Sequence, residues 1–279
     1  MPDIITLTSC KEQYMKITIM EVFIMQKNIM FQAKNLCKTY VSGSEQFHAI
    51  KNLSLEIYEG DFTVIMGNSG SGKSSLLYLL SGLDEATAGE VYFEADRIDQ
   101  YGEKKLTEFR NKKIGYIYQS INLVPDLTLY ENIALPGYIN GLKKGEVRNQ
   151  AISLMESMEI EKLKDRLPSQ TSGGQQQRAA IARALINSPD MIFADEPTGS
   201  LNYEQGVSVL NILTELNRKG QSVVMVTHDI KAACRADRII YIRDGKIDGI
   251  FEFDKYEESD ISHRETMIFS YVSNEGDKR

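Results

Sequence analysis

A glycine-rich run at residues 67–74, with the sequence GNSGSGKS, restricts the fold of this chain more than any other segment. It follows a short, continuously apolar stretch at 62–66 that predicts a strand, and it precedes a stretch of helical periodicity, 73–81, that ends at Gly82. Strand, glycine loop and helix in this order are the context of a phosphate-binding loop, because glycines let backbone N–H groups converge on an anion at a helix N-terminus. The run therefore predicts nucleoside-triphosphate binding.

Two side chains at the end of this loop have predicted roles in the same site. Lys73 is expected to reach the β- and γ-phosphates, and the hydroxyl of Ser74 is expected to ligate Mg²⁺. The predicted ATP-binding residues of the loop are Gly67, Asn68, Ser69, Gly70, Ser71, Gly72, Lys73, Ser74 and Ser75.

Two adjacent carboxylates, Asp195 and Glu196, end the apolar stretch 191–194, which predicts another buried strand. The carboxyl ends of strands form the edge at which open α/β sheets bind ligands. Asp195 is interpreted as holding Mg²⁺ through its water shell. Glu196 is interpreted as the residue that orients and polarises the water attacking the γ-phosphate.

A second glycine-containing run, TSGGQQQR at 171–178, opens an apolar helical stretch. Its residues Ser172, Gly173, Gly174 and Gln175 form another predicted phosphate cradle at a helix N-terminus. One nucleotide has only one triphosphate tail, so two cradles in one chain indicate two chains that share nucleotides.

The order of predicted elements indicates the fold class. Alternating strands and helices from residue 175 onward, with buried apolar strands, predict a parallel sheet covered on both faces. Apolar–polar alternation at 31–40 and 53–58 predicts an N-terminal antiparallel β lobe, and the charge-rich region 128–167, with Pro125 and Pro136 marking early turns, predicts an inserted helical subdomain. The expected fold is α/β, with a P-loop NTPase core.

Composition restricts which partners and which membrane segments the chain can have. A net charge of −7 argues against a nucleic-acid partner, because binding to a phosphate backbone needs clustered Lys and Arg. No stretch has the roughly 20 apolar residues needed to span a bilayer.

We expect an N-terminal extension at 1–29, disordered or belonging to an over-extended translation start, an ATPase domain at 30–250 with its helical subdomain at about 120–172, and a C-terminal tail at 251–279.

The motifs together resemble the ATP-binding cassette (ABC) transporter ATPases. Residues 67–74, Gln119, 172–178, 195–199 and His228 occur in the order and spacing of that family, and the resemblance covers about residues 31–246. It implies a sandwich dimer with two ATP molecules held between head-to-tail subunits, Mg²⁺ as the metal, and ATP hydrolysis as the activity.

The resemblance also implies residue roles. Ser172, Gly173, Gly174 and Gln175 would contact the ATP bound by the opposite subunit, and His228 resembles the switch histidine that contacts the γ-phosphate. Gln119 resembles the glutamine that touches Mg²⁺ and links the core to the helical subdomain. Tyr40 resembles the aromatic residue that stacks on adenine, although a strand tyrosine is often only a core residue.

Two positions depart from the family pattern. Thr171 stands where the family usually has leucine, which leaves the phosphate-facing residues intact. Asn202 stands where the family commonly has aspartate, and the lost charge is expected to weaken communication between the two ATP sites.

Segments 118–125 and 131–136 resemble the group that serves lipoprotein release, macrolide and antimicrobial-peptide export, and cell division. The resemblance implies a separate transmembrane permease and a peripheral location on the cytoplasmic face of the membrane. Two alternatives stay open: a regulatory cassette that gates a membrane partner without transport, and a soluble cassette protein of DNA repair or the ribosome.

Overall fold

A computed structural model describes residues 27–276 of the chain, with side chains to residue 273. The prediction for 1–29 therefore falls mostly outside the described residues. At its end, Lys27 forms an ion pair with Asp61 at 2.8 Å, and strand β1 already begins at Ile29.

The described part of the chain contains ten strands, which form two sheets. An antiparallel sheet has the strand order β2-β1-β4-β5, as the sequence predicts for the N-terminal lobe, and a larger sheet has the order β10-β9-β3-β8-β7-β6. The strands are β1 Ile29–Ser42, β2 Glu45–Tyr58, β3 Phe62–Gly67, β4 Ala88–Phe93, β5 Asp96–Arg97, β6 Ile114–Ile117, β7 Met191–Asp195, β8 Ser222–Val226, β9 Arg238–Arg243 and β10 Lys246–Glu252.

The larger sheet is parallel from β9 to β6, and β10 joins its edge in antiparallel orientation. Strand β3 lies inside this sheet, between β9 and β8, and its side chains point alternately to two hydrophobic clusters. Val64 packs into one cluster and Ile65 into the other. The sheet is therefore buried on both faces, which is why its strands read as continuous apolar runs.

The described residues contain eight α-helices. They are α1 Lys73–Leu80, α2 Glu103–Lys113, α3 Leu129–Ile139, α4 Lys144–Ser157, α5 Gly173–Leu185, α6 Tyr203–Arg218, α7 Ile230–Ala233 and α8 Ile261–Gly276. In the part of the chain from 27 to 276, no helix is long and apolar enough to cross a membrane.

Helices α3 and α4 make the helical insertion between β6 and α5. Thr128 begins α3 with a capping box, in which its hydroxyl accepts from the Glu131 N–H and the Glu131 carboxylate accepts from the Thr128 N–H. Pro136, expected at a turn, lies inside α3 instead. Burial of its neighbours Ala134 and Gly137 holds the helix together around the proline.

The segment after β10, predicted only as a C-terminal tail, contains α8. Ile268 of this helix is 2% exposed and belongs to the same cluster as the buried residues of α7. The helix packs onto the core through Ile268 and the partly buried Tyr271 and Val272, an apolar pattern too short to predict a helix from the sequence.

Candidate nucleotide site

The phosphate loop joins β3 to α1 at the carboxyl edge of the large sheet. Gly67 has φ +151° and Gly72 has φ +102°, and a Cβ at either position would clash with a backbone carbonyl oxygen, that of Ile242 or that of Ala49. Only glycine fits both positions, since the backbone is close-packed there and adopts positive φ. These two glycines leave the loop open on its outer side.

Lys73 lies inside the loop. Its Nζ donates to the carbonyl oxygens of Gly67 and Asn68, both at 2.9 Å. Burial lowers the pKa of the Lys73 ammonium, while the carboxylates of Glu196 and Asp195 act in the opposite direction. The ammonium is therefore held where an anion in the loop would gain it as a partner.

Asp195 meets Ser74 across the sheet edge. The Ser74 hydroxyl donates to Asp195 Oδ1 at 3.0 Å, and Asp195 is only 5% exposed. Burial raises the pKa of the Asp195 carboxyl, and the Ser74 hydrogen bond and Lys73 offset part of that rise. A largely buried carboxylate beside a hydroxyl is suited to a cation.

Glu196 and His228 are in direct contact. His228 Nδ1 lies 2.8 Å from Glu196 Oε1. Glu196 has φ +47°, in the left-handed region, and its N–H donates to the Val226 carbonyl at 3.0 Å. The Glu196 side chain is 13% exposed and that of His228 is 72% exposed. A non-glycine residue in this backbone region is uncommon and is often found at functional sites.

Lys73, Ser74, Glu196 and His228 line one cavity of about 580 Å³. Gln119 also lines it, and a Cβ on Gly199 would lie 3.3 Å from the Gln119 amide nitrogen, so this side chain lies beside the turn that follows Glu196. The lining residues are Phe47, Met66, Gly67, Asn68, Ser69, Gly70, Gly72, Lys73, Ser74, Ser75, Gln119, Glu196, His228, Ile230, Tyr241 and Val272.

Three predicted residues lie near this cavity without lining it: Tyr40, Ser71 and Asp195. Ser71 is buried within the loop, and its hydroxyl has no hydrogen-bond partner among the residues that the structure describes. Tyr40 donates its hydroxyl to Asp84 Oδ2 at 2.8 Å, its oxygen lies 3.3 Å from Ser75 Oγ, and the Lys38 ammonium lies 4.8 Å from its ring centre. The tyrosine is therefore anchored at the rim.

Phe47 lines the cavity, as does Tyr241, and sequence reasoning missed both aromatic residues. Phe47 lies directly across the β1–β2 hairpin from Tyr40 and is 55% exposed. The signal was present in the sequence, since an aromatic residue in the strand partner of Tyr40 falls on the same face once the hairpin register is known.

Ser172 starts α5 with a capping box, in which its hydroxyl accepts from the Gln175 N–H and its own N–H donates to the Gln175 side chain. Ser172, Gly174 and Gln175 line a second cavity together with residues of α6, and this cavity shares no lining residue with the first. The structure therefore keeps the two predicted phosphate cradles of one chain apart.

Both departures from the family pattern have local partners. The Thr171 hydroxyl donates to the Pro168 carbonyl at 2.8 Å. The Asn202 side chain accepts from the Gln205 N–H at 2.9 Å and begins α6, a role for which Asn is as suitable as Asp.

The oxygen donors near the loop fit Mg²⁺. Ser74, Asp195 and Gln119 supply hydroxyl, carboxylate and amide oxygens, the hard ligands that this ion prefers. Residues 27–276 contain no group of three or more His, Cys, Asp or Glu that would hold a metal on protein ligands alone. Such a donor set suits an ion that also takes phosphate oxygens and waters.

Comparison with known proteins agrees with this geometry. The family model described as ABC transporter matches residues 50–199, more than half of the chain. The chain belongs to the ABC transporter family. The expected fold is confirmed, and so is the predicted class of enzyme, an ABC-type ATPase.

Individual ABC proteins are similar over most of the chain. An uncharacterized ABC transporter ATP-binding protein of Methanocaldococcus jannaschii, MJ0796, is 44% identical over 224 residues, which are 78% of this chain and 95% of the relative. A dimeric structure of MJ0796 in a post-hydrolysis state with ADP and Pi has a TM-score of 0.76 at 41% identity and covers 81% of this chain and all of that one.

A more distant ABC structure is cbiO1 of Clostridium perfringens, part of the transporter complex cbiONQ. It has a TM-score of 0.72 at 26% identity and covers 81% of this chain and 89% of that one. Both structures share the cassette fold with this chain.

Proposed function

We propose that this ABC cassette dimerises on MgATP and hydrolyses ATP to drive a separate membrane permease. The observation that carries the proposal is the Glu196–His228 contact of 2.8 Å at the cavity that the phosphate loop lines. A carboxylate beside the γ-phosphate position, oriented by an imidazole, is suited to hold an attacking water.

The site residues divide the work of hydrolysis. Lys73 exchanges the Gly67 and Asn68 carbonyls for β- and γ-phosphate oxygens. Glu196 accepts a proton as the water oxygen bonds to the γ-phosphorus and the bond to the β–γ bridging oxygen breaks, which yields ADP and phosphate. His228 holds Glu196 and donates to the γ-phosphate.

Ser74, Asp195 and Gln119 would hold Mg²⁺, which when bound neutralises phosphate charge. The loop N–H groups from residue 67 to 75 bind the phosphates, and Tyr40 and Phe47 at the hairpin contact the base.

The dimer is supported by the position of the second cradle. Ser172, Gly174 and Gln175 line a cavity separate from that of their own phosphate loop, so they are free to serve the nucleotide of another subunit. The MJ0796 structures are dimeric. A head-to-tail pair would complete both sites at once.

A membrane permease follows from the family and from cbiO1, which is part of a transporter complex. We place the cassette on the cytoplasmic face of the membrane, bound to that permease, and assign the exported or extracted cargo to the lipoprotein, peptide or drug class. The domain limits 30–250, with a helical subdomain at about 120–172 and a C-terminal tail at 251–279, belong to the same proposal.

Glu196→Gln tests the catalytic assignment. The variant keeps the size of the side chain and loses the proton acceptor, so we expect retained ATP binding, a dimer trapped by MgATP in size-exclusion chromatography, and turnover reduced by about 100-fold or more. Glu108→Gln, on the exposed face of α2, is the matched control and should behave like wild type. Wild-type turnover in Glu196→Gln would refute the assignment.

A further inference from the structure

Helix α8 packs against α7, the short helix that begins two residues after His228. Ile268 is 2% exposed and lies in one cluster with Ala232, Ala233 and Cys234. One turn further along the same helix face, Val272 lines the nucleotide cavity beside Ile230. A single face of α8 thus extends from α7 to the cavity that the phosphate loop lines.

Arg264, one turn before Ile268, is the strongest connection between the two helices. Its side chain is 3% exposed, and its NH1 donates to the carbonyl oxygens of Cys234 at 3.1 Å and Ala236 at 2.9 Å. NH2 donates to the Asp254 carbonyl at 2.7 Å, and Asp260 Oδ2 lies 3.9 Å away.

Burying a guanidinium is costly unless its donors are paired. Here one partner is the carbonyl of Cys234, the C-cap residue of α7, which has no N–H donor within the helix and lies at the negative end of its dipole; the other, Ala236, lies in the connection to β9. Arg264 therefore fixes the last turn of α7 with charge-assisted hydrogen bonds.

The other end of α7 is fixed next to His228. The Asp229 carboxylate accepts from the Lys231 N–H at 2.8 Å, and the Thr227 hydroxyl accepts from the Asp229 N–H at 3.0 Å. Helix α7 has four residues, about 6 Å at 1.5 Å per residue. Because the helix is so short, a displacement of its C-terminal end also displaces its N-terminal end, next to His228.

We propose that Arg264 is a positioning residue for ATP hydrolysis, which acts through α7 to hold His228 in register with Glu196. This inference rests on the proposed role of His228. Arg264 is not one of the residues that line the nucleotide cavity. It sets where the histidine stands, and it makes turnover depend on the docking of the C-terminal helix.

The test compares Arg264→Gln and Arg264→Lys with wild type in the full chain. We expect kcat for ATP to fall by about 5- to 10-fold in Arg264→Gln, a smaller loss than removal of a proton-transfer group causes. The Kd for ATP should stay within about twofold of wild type, since the phosphate loop is untouched. Arg264→Lys keeps the charge and part of the hydrogen bonding, so it should recover part of kcat.

A double-mutant cycle with His228→Ala separates positioning from general damage. In the His228→Ala background, Arg264→Gln should cause no further loss of kcat. Phe269→Ala, on the exposed side of the same helix at 59% exposure, is the matched control and should leave kcat unchanged. Thermal unfolding reports whether each variant folds.

These outcomes separate the role of His228 from the positioning role of Arg264. Wild-type turnover in His228→Ala would overturn the proposed role of the histidine itself. A large effect of His228→Ala with unchanged kcat in Arg264→Gln, or equal losses from Arg264→Gln with and without His228, would overturn the positioning role alone.

If Arg264→Gln does not fold, Ile268→Val gives the second test, because it loosens the same helix contact without burying an unpaired polar group. It should lower kcat and leave the Kd for ATP unchanged. Wild-type kcat in a folded Ile268→Val, or kcat and affinity lost together, would count against the proposal.

Discussion

Asp195 sits at the end of β7 with only 5% exposure, and burial raises the pKa of its carboxyl. Above that raised pKa the residue is ionised in both the folded and the unfolded chain, and only the folded chain has to bury the charge. Below the unfolded pKa both states are protonated and the cost is absent. Ionised Asp195 therefore destabilises the apo protein at neutral pH.

We expect Asp195→Asn to raise the free energy of unfolding of the apo protein at pH 7, because the amide carries no charge and its oxygen accepts from Ser74. The gain should shrink as the pH falls through the raised pKa of Asp195 toward the pKa of an ordinary Asp. Urea denaturation at several pH values measures this, and MgATP should no longer raise the Tm of the variant. A less stable Asp195→Asn at pH 7 would contradict the interpretation.

Phe47 and Tyr40, both proposed to contact the base, differ in how they are held. Tyr40 is anchored by Asp84 and Ser75, whereas Phe47 lines the cavity and is 55% exposed. Stacking of a base on an aromatic ring contributes about 1–3 kcal/mol.

Phe47→Ala should therefore raise the Kd for ATP by roughly 5- to 100-fold, the equivalent of that energy. Val41→Ala, an exposed residue of the same hairpin, is the control and should bind ATP like wild type. Equilibrium binding of a fluorescent ATP analogue measures both. Unchanged affinity in Phe47→Ala would leave Tyr40 as the stacking residue.

At the scale of elements, two helices of the chain begin with the same device. Ser172 before α5 and Thr128 before α3 each form a capping box. Loss of either hydroxyl should cost about 1 kcal/mol of stability. Only Ser172 also borders the glycines of the second cradle.

Ser172→Ala and Thr128→Ala therefore form a matched pair. We expect similar decreases in the free energy of unfolding, and a loss of ATP-dependent dimerisation and ATPase activity in Ser172→Ala alone. Denaturation together with a phosphate-release assay gives both readouts. Equal activity in the two variants would show that Ser172 acts only as the N-cap of α5.

Some elements of the fold can be predicted from local sequence patterns and others cannot. Strand β3, its loop and α1 follow from a local pattern, because an apolar strand, close-packed glycines and a helix start are encoded within about twenty neighbouring residues. Phe47 could not be found in this way, since its place depends on the register of β1 against β2. Helix α8 was missed for a related reason: its contacts are with α7 and the end of β10, which precede it in the chain.

At the scale of the whole molecule, the large sheet brings together residues that lie far apart in sequence. Ser74 lies in the helix that follows β3, Asp195 at the end of β7 and His228 just after β8, and these strands are neighbours in the order β3-β8-β7. Sequence order alone predicts that such residues meet at one edge, because the carboxyl ends of parallel strands share it. It does not predict the antiparallel edge strand β10 or the helix that follows it.

The separation of the two glycine cradles has a genetic consequence. In the proposed head-to-tail dimer, each site combines the phosphate loop of one subunit with the Ser172 cradle of the other. A subunit damaged at Lys73 and a subunit damaged at Gly173 would each be inactive in pairs of their own kind. Mixed together, they would place both lesions in one site and leave the other site intact, so two defective alleles of this chain would complement each other.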